Sequence, residues 1–459
     1  MRFPTWFTAA LLACASPALL AHEGPVDPTF GAGGMAHYGF LPVNNSGLAD
    51  AAIVACPSAG DTLTVVGEAS QRERIVTARV RADGSYDTSF GSQGKASFLL
   101  KRIDADQPPG LCQSDGNLVV ARSHRLSPGA DQNIQIFRIS RSDGQLDPGF
   151  SEDGVVMLDL DAYQAGTLSD EQPLGLNMLS NGDILVTGRV RLSTTGSSDR
   201  AFAARITATG VIASVAVLDH PSTSAASGGE VGTDGRIWIY GEGLQTVAGE
   251  TRMVPFRAGL NYASLAWESA PVDAPLPGTG NVLVGPGRSV RPGVFVAPAM
   301  ILPPGNVVHP ALVVFRPGGR TVLPLPYPML AESAATVSTH YGRQGVTVLP
   351  GGRVMYGAAV AAALNQPDVG VYFAMAAIGE TPMRDRVEGA FTPTGAGTAQ
   401  YRHAECPTQQ SRQSFARMTV WMGKPVFVGD VSANCTDALD TDYLVGRIAS
   451  NYLFADDFD

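Results

Sequence analysis

Short apolar runs of three or four residues recur along the chain, each entered through a tight turn. The turns are Gly60-Asp61, Asp115-Gly116, Asn181-Gly182, Asp234-Gly235, Pro292-Gly293, Gly351-Gly352 and Gly423-Lys424. The runs that follow are 63–66, 118–120, 184–186, 237–240, 294–296, 354–356 and 426–428. Runs this short, bounded by turn residues, read as buried β-strands rather than helix segments. No long helical period appears anywhere. The Asp-Gly pairs predict two-residue hairpins, in which both central residues take positive φ. Seven hairpins at a mean spacing of about 60 residues predict a repeat array of four-stranded units.

A second pattern has the same spacing. Asp27-Pro-Thr-Phe30-Gly31-Ala-Gly-Gly34 recurs as Asp87-Thr-Ser-Phe90-Gly91-Ser-Gln-Gly94 and as Asp147-Pro-Gly-Phe150-Ser151-Glu-Asp-Gly154. The expected architecture is all-β: a seven-bladed β-propeller of four-stranded blades over residues 22–450. The segment 34–40 reads as an outermost strand with no partners before it. The segments 414–421, 425–428 and 443–448 read as three inner strands with no full fourth after them. The simplest resolution is that the N-terminal strand completes the last blade, which removes exposed edges.

These motifs, with the approaches Asp83-Gly84-Ser85-Tyr86-Asp87 and Asp143-Gly144-Gln145-Leu146-Asp147, resemble the delta-60 repeat family of bacterial β-propeller-like proteins. The match covers roughly residues 25–160 and is degenerate later. The resemblance implies a propeller fold and an exported protein, and no defined reaction. The last residues, Leu453-Phe454-Ala455-Asp456-Asp457-Phe458-Asp459, resemble a Phe-x-Asp-x-Phe acidic tail of secreted bacterial proteins. A sorting tag over 451–459 and a terminus docked on the last blade both fit it.

Composition narrows the function classes. The net charge of −10 disfavours nucleic acid, which requires a basic footprint. Residues 1–21 read as a signal peptide, with Arg2, an apolar segment broken by Pro17, and cleavage after Ala21; lipoprotein processing at Cys14 is the runner-up. No later segment has the apolar length of a membrane helix. A secreted, periplasmic or cell-surface monomer is therefore expected. Export makes disulfides the expected state of Cys56, Cys112, Cys406 and Cys435. Of three pairings, Cys56–Cys112 and Cys406–Cys435 are favoured, because the first two occupy matching places in adjacent repeats.

Candidate chemistry is sparse. Gly31 to Ala36 fits a dinucleotide fingerprint only formally, since no strand precedes it and no helix follows. The Asp-Gly turns lack the ligand density of calcium loops, and no cysteine sits at zinc spacing. No metal and no cofactor are expected, apart from the minor option of copper at an N-terminal His22. Asp27, Asp87 and Asp147 are expected to accept backbone N–H groups in their turns, and Phe30, Phe90 and Phe150 to pack between blades. Long, varied connections on one face are where a site belongs. Weak binding candidates there are Tyr163, His340, Tyr341, Arg343, Tyr401, Arg402, His403 and Glu405. The expected function is a binding module for an unknown ligand or protein partner. The alternative is a hydrolase or lyase acting on an extracellular polymer.

Overall fold

The structure is a computed structural model. It describes residues 26–449 except 40–50, 59, 70–73, 101–107, 126, 128–129, 164–168, 193–198, 219–221, 248, 270–279, 303–307, 327–328, 331–332, 335, 338–343, 362–367, 383–384, 388–395, 400–414 and 433–440. The described residues are all-β, with two short 3-10 turns and no α-helix.

Antiparallel meanders follow one another along the chain. The first is Ala51–Ser58, Thr62–Ala69, Arg74–Val80 and Lys95–Leu99, hydrogen-bonded in that order. Next come Gly110–Cys112, Leu118–Arg125, Gln132–Ile139 and Val155–Leu158, then Ser169–Met178, Ile184–Leu192, Asp199–Ile206 and Ile212–Val217. A single parallel pair, Asp170 with Gln132, links these two. Ser224–Val231, Ile237–Val247, Glu250–Leu260 and Trp267–Ser269 form the fourth. In the fifth the first strand is split, so Asn281–Val284 and Arg288–Arg291 both pair with Val294–Leu302, followed by His309–Arg316 and Gly319–Pro324. The sixth is split likewise. Thr336–Val337 and Gln344–Val348 pair with Arg353–Ala361, and Asp368–Ala377 lies beyond.

The last sheet joins the two ends of the chain. Arg417–Trp421, Lys424–Ser432 and Thr441–Arg447 form a meander whose fourth strand is Met35–Tyr38. That strand runs antiparallel to Thr441–Arg447, from Met35 opposite Gly446 to Tyr38 opposite Tyr443. Tyr38 also donates its hydroxyl to Gly84 O of the first meander at 2.6 Å.

First strands of successive meanders pack on one another. Ala51–Ser58 touches Gly110–Cys112, which touches Ser169–Met178, and so on through Ser224–Val231, Arg288–Arg291, Gln344–Val348 and Arg417–Trp421. Arg417–Trp421 in turn touches Ala51–Ser58. Second strands are covered on both faces: every residue of Thr62–Ala69 is buried. This accounts for their near-continuous apolar runs.

The hairpins differ in type. Gly60 and Asp61 both have positive φ (71° and 55°), as do Met422 and Gly423 (52° and 73°). At Asp115-Gly116 only the glycine does (87°), correcting the two-residue expectation. There Gly116 N–H donates to Gln113 O at 3.0 Å and Gln113 N–H to Asn117 O at 2.9 Å, a three-residue loop closed by a left-handed glycine. The last hairpin centres on Met422-Gly423, one residue before the expected position.

Cys56 and Cys112 form the expected disulfide between the first and second meanders, across 56 residues of chain. Cys406 and Cys435 lie outside the described residues. Chain entropy for a loop of that length corresponds to about 4 kcal/mol. Replacing Cys56 and Cys112 together by serine should lower the urea-unfolding free energy by about 2–4 kcal/mol; an unchanged midpoint and slope would contradict it.

Candidate functional site

The repeated motif builds a joint between neighbouring meanders. Each Asp accepts a backbone N–H two residues on: from Thr29 to Asp27 at 3.0 Å, Ser89 to Asp87 at 3.3 Å and Gly149 to Asp147 at 2.9 Å. The turn role expected of these residues is therefore present. Each also faces an arginine on the third strand of the same meander. Arg447 Nε lies 2.9 Å from Asp27, and Arg138 Nε 2.8 Å from Asp147. Arg79 stands 4.0 Å from Asp87, with Arg81 closer at 3.3 Å. Phe30, Phe90 and Phe150 are fully buried beneath these guanidiniums, 4.1–5.0 Å from ring centre to charge. Burial of one such ring stabilises by about 2–3 kcal/mol.

The same arginines reach forward to the next meander. Arg138 donates to Ala208 O at 2.6 Å, Arg205 to Ala263 O at 3.1 Å, Arg257 to Arg316 O at 3.1 Å and Arg316 to Gly379 O at 3.1 Å. Arg79 donates to Arg141 O. Arg447, in the last meander, donates to Ala82 O of the first at 2.7 Å. Every acceptor ends or follows a third strand, so one contact is repeated around the array. The sixth meander lacks it, since Asp368–Ala377 contains no arginine. This element escaped the sequence reading. The signal was there, in Ala-Arg-Val at 78–80, Phe-Arg-Ile at 137–139, Ala-Arg-Ile at 204–206 and Gly-Arg-Ile at 446–448.

Two glycines show how closely the joints fit. A Cβ on Gly144 would stand 2.5 Å from the Phe90 ring, and one on Gly84 2.9 Å from Gly31 N. Both have positive φ. The Asp-Gly turns are thus sockets for the preceding meander's Phe-Gly turn.

Buried charge elsewhere also joins meanders. Arg122 and Glu68 pair at 2.9 Å with both side chains essentially inaccessible, and Gln135 Oε1 takes two further N–H groups of Arg122 at 2.8 and 3.0 Å. Asp430 accepts Ala52 N–H at 2.8 Å, and Glu242 accepts Val284 N–H at 2.5 Å. Glu230 accepts from Tyr240 at 2.8 Å and Ser289 at 2.5 Å. Burial raises the Glu230 carboxyl above its usual range, against the pull of Ser289, Tyr240 and Arg257. Asp131, Asp159 and Asp161 bring carboxylate oxygens within 4.8 Å of one another. Asp131 and Asp159 already cap the N–H groups of Gln132 and Asp161.

Of the binding candidates, Tyr163 follows the 3-10 turn Leu160–Ala162, is half exposed, and donates its backbone N–H to Leu160 O at 2.9 Å. His340, Tyr341, Arg343, Tyr401, Arg402, His403 and Glu405 lie outside the described residues. Described polar groups that reading overlooked open three successive first strands: Arg288, the fully buried Gln344, and Arg417. Arg417 donates to Ala416 O at 2.9 Å and Arg288 to Gly287 O at 3.2 Å.

No protein-family model and no curated protein matches the chain. Among solved structures it is similar to the β-propeller domain of Vanderwaltozyma polyspora Nup133, at 10% identity and TM-score 0.46 over 90% of this chain and 96% of that one. It is also similar to the GH93 α-L-arabinofuranosidase of Fusarium graminearum, at 11% identity and TM-score 0.44 over 74% and 91%. The polysaccharide lyase Uly1 matches at 12% identity and TM-score 0.40 over 68% and 74%. Likeness this remote carries no argument about activity.

Asp27 supplies a test of the joint. Burial opposes its ionisation, but hydrogen bonds from Lys424 and Thr29 and the charge of Arg447 hold it far below the usual carboxylate range. A depressed carboxyl contributes stability above its unfolded pKa of about 3.9 and loses it as pH falls toward the folded value. Asp27→Asn should cost about 3 kcal/mol at neutral pH, leaving Arg447 buried without its acid. By urea unfolding, the gap to wild type should narrow below about pH 4. A gap that stays constant through that range would rule out the ionised pair as its source.

Proposed function

We propose that the chain is an exported seven-bladed β-propeller of delta-60 repeat type, closed by its N-terminal strand and acting as a binding module. The closed order of contacts among first strands supports the ring, as does the pairing of Met35–Tyr38 with Thr441–Arg447. The Cys56–Cys112 disulfide supports export, since such bonds persist in oxidising compartments. No described helix is long and apolar enough to cross a membrane.

The observation that carries the binding reading is the asymmetry of the two ends of the meanders. At one end, third-to-fourth-strand turns abut neighbouring meanders through arginine joints. At the other, connections vary widely: Leu99 to Gly110, Val217 to Ser224, Ser269 to Asn281 and Ala399 to Arg417 between meanders, and Val247 to Glu250 against Ser432 to Thr441 within them. A rigid scaffold with one uniform end and one variable end places recognition at the variable end. Tyr401, Arg402, His403 and Glu405 belong to the connection from Ala399 to Arg417, Tyr163 to that from Leu158 to Ser169, and His340, Tyr341 and Arg343 to the break between Thr336–Val337 and Gln344–Val348 in the sixth meander's first strand.

Thermal shifts of the mature chain against glycans, divalent metals and cell-wall fragments test this. A ligand at 100 times its Kd adds about 2.7 kcal/mol, a shift of at least about one degree. A His340→Ala/His403→Ala variant should lose that shift while keeping its own Tm. A shift unchanged in the variant would remove the site from those connections. Release of new sugar ends from a glycan would replace the binding reading with that of a polymer-acting hydrolase or lyase.

A further inference from the structure

We infer that Met355, Met375 and Met418 form an oxidant-sensitive seam between the sixth and seventh meanders, at which the array parts before it unfolds. The inference concerns the scaffold and does not depend on the binding reading.

Alternate residues along a third strand face the same neighbour. In the sixth meander Val371, Phe373 and Met375 pack against the seventh, in one cluster with Phe415, Met418 and Phe427. Ala377 is the next residue on that face. It stands where Arg79, Arg138, Arg205, Arg257, Arg316 and Arg447 stand in the other meanders, so the repeated joint has no arginine here. Thioethers and rings fill this seam. Met355 lies opposite Met375 in the ladder. A Cβ on Gly357 of the sixth meander would stand 2.7 Å from Met418 Sδ and 2.6 Å from the Phe415 ring, so the start of the seventh meander rests on that glycine. Phe373 and Phe427 meet across the seam with ring centres 5.0 Å apart. With Met35, the cluster holds four of the five buried methionines among the described residues. The fifth, Met300, lies in the cluster shared by the fifth and sixth meanders. That neighbouring seam has its arginine, Arg316, which reaches Gly379 O at 3.1 Å.

Methionine packs adaptably, but it loses much rotamer freedom on burial and specifies one arrangement poorly. A seam packed by such side chains opens at lower free energy than one that must also break the contacts of a buried arginine. Parting the seam leaves each meander's ladder intact and brings the sulfurs to solvent. A peroxide then transfers oxygen. A sulfur lone pair forms the S–O bond, the O–O bond breaks, and the second oxygen leaves as water, so the thioether is oxidised and the peroxide reduced. The sulfoxide is polar, and returning it to an apolar seam without a hydrogen-bond partner is costly. Oxidation therefore holds the seam open.

The test is the rate of sulfoxide formation at each methionine of the full mature chain in hydrogen peroxide, read by peptide mass spectrometry. Met157 and Met422, both exposed, should react first. Met355, Met375 and Met418 should follow together, and Met300 should be slower than these by at least about tenfold. Ala377→Arg should slow the three seam methionines and leave Met300 unchanged. Arg316→Leu should raise the rate at Met300 relative to Met355; should it fail to fold, the wild-type order and Ala377→Arg carry the test. Peroxide should lower the wild-type Tm, whereas Met355→Leu/Met375→Leu/Met418→Leu should keep most of its own. Equal rates at Met300 and the seam methionines would mean that all of them wait for global unfolding, and would overturn the seam. So would seam methionines that stay reduced once Met157 and Met422 are fully oxidised, or an equal loss of Tm in the leucine variant.

Discussion

An arginine that reaches from one meander to a carbonyl in the next is the interaction on which the array depends. A guanidinium has five donors in a plane, enough to serve an acid, a distant carbonyl and an aromatic face together. Arg138 does all three, with Asp147, Ala208 O and the Phe150 ring. Arg447 does the same with Asp27, Ala82 O and the rings of Phe30 and Trp421. A charge so nearly buried is tolerated only when its partners are in place. Each joint therefore forms only when two neighbours are correctly seated. Because Arg447 belongs to the last meander while Asp27 and Ala82 lie near the start of the chain, the same contact brings the chain ends together.

Other joints follow the same logic with different groups. Glu68 and Arg122 meet across the first and second meanders, and Asp430 ties the last to Ala52 of the first. Tyr240 stacks on Phe295 with centres 4.2 Å apart, joining the fourth and fifth. Most buried charge described here thus lies at seams between sheets.

Much of the fold was legible in the chain. The hairpin turns located each second strand, and the unpartnered 34–40 segment foretold its pairing with Thr441–Arg447. Matching positions of Cys56 and Cys112 foretold their bond. Turn type at Asp115-Gly116 was misread because Asp-Gly serves both two-residue and three-residue loops, and only the backbone decides between them. The arginine joints were missed for a different reason. A charged residue inside an apolar strand reads as a solvent-facing position, and only the seam between two sheets reveals its partners. Gln344 was equally silent, since an amide's significance depends on which of its atoms finds a partner. The loop candidates were chosen from composition and connection length alone, and of these Tyr163 is placed by the structure, exposed beside a short 3-10 turn.

The central claim is that joints between neighbours, including the one between the chain ends, make the array a single cooperative unit. Amide hydrogen exchange of Met35–Tyr38 tests it most directly. A terminal strand of four residues held only by its own ladder would open locally at little free-energy cost. If the Asp27–Arg447–Ala82 joint locks it, its amides should exchange only through global unfolding, with the same protection as those of Thr441–Arg447. Protection of Met35–Tyr38 several kcal/mol below that of Thr441–Arg447 would contradict the account.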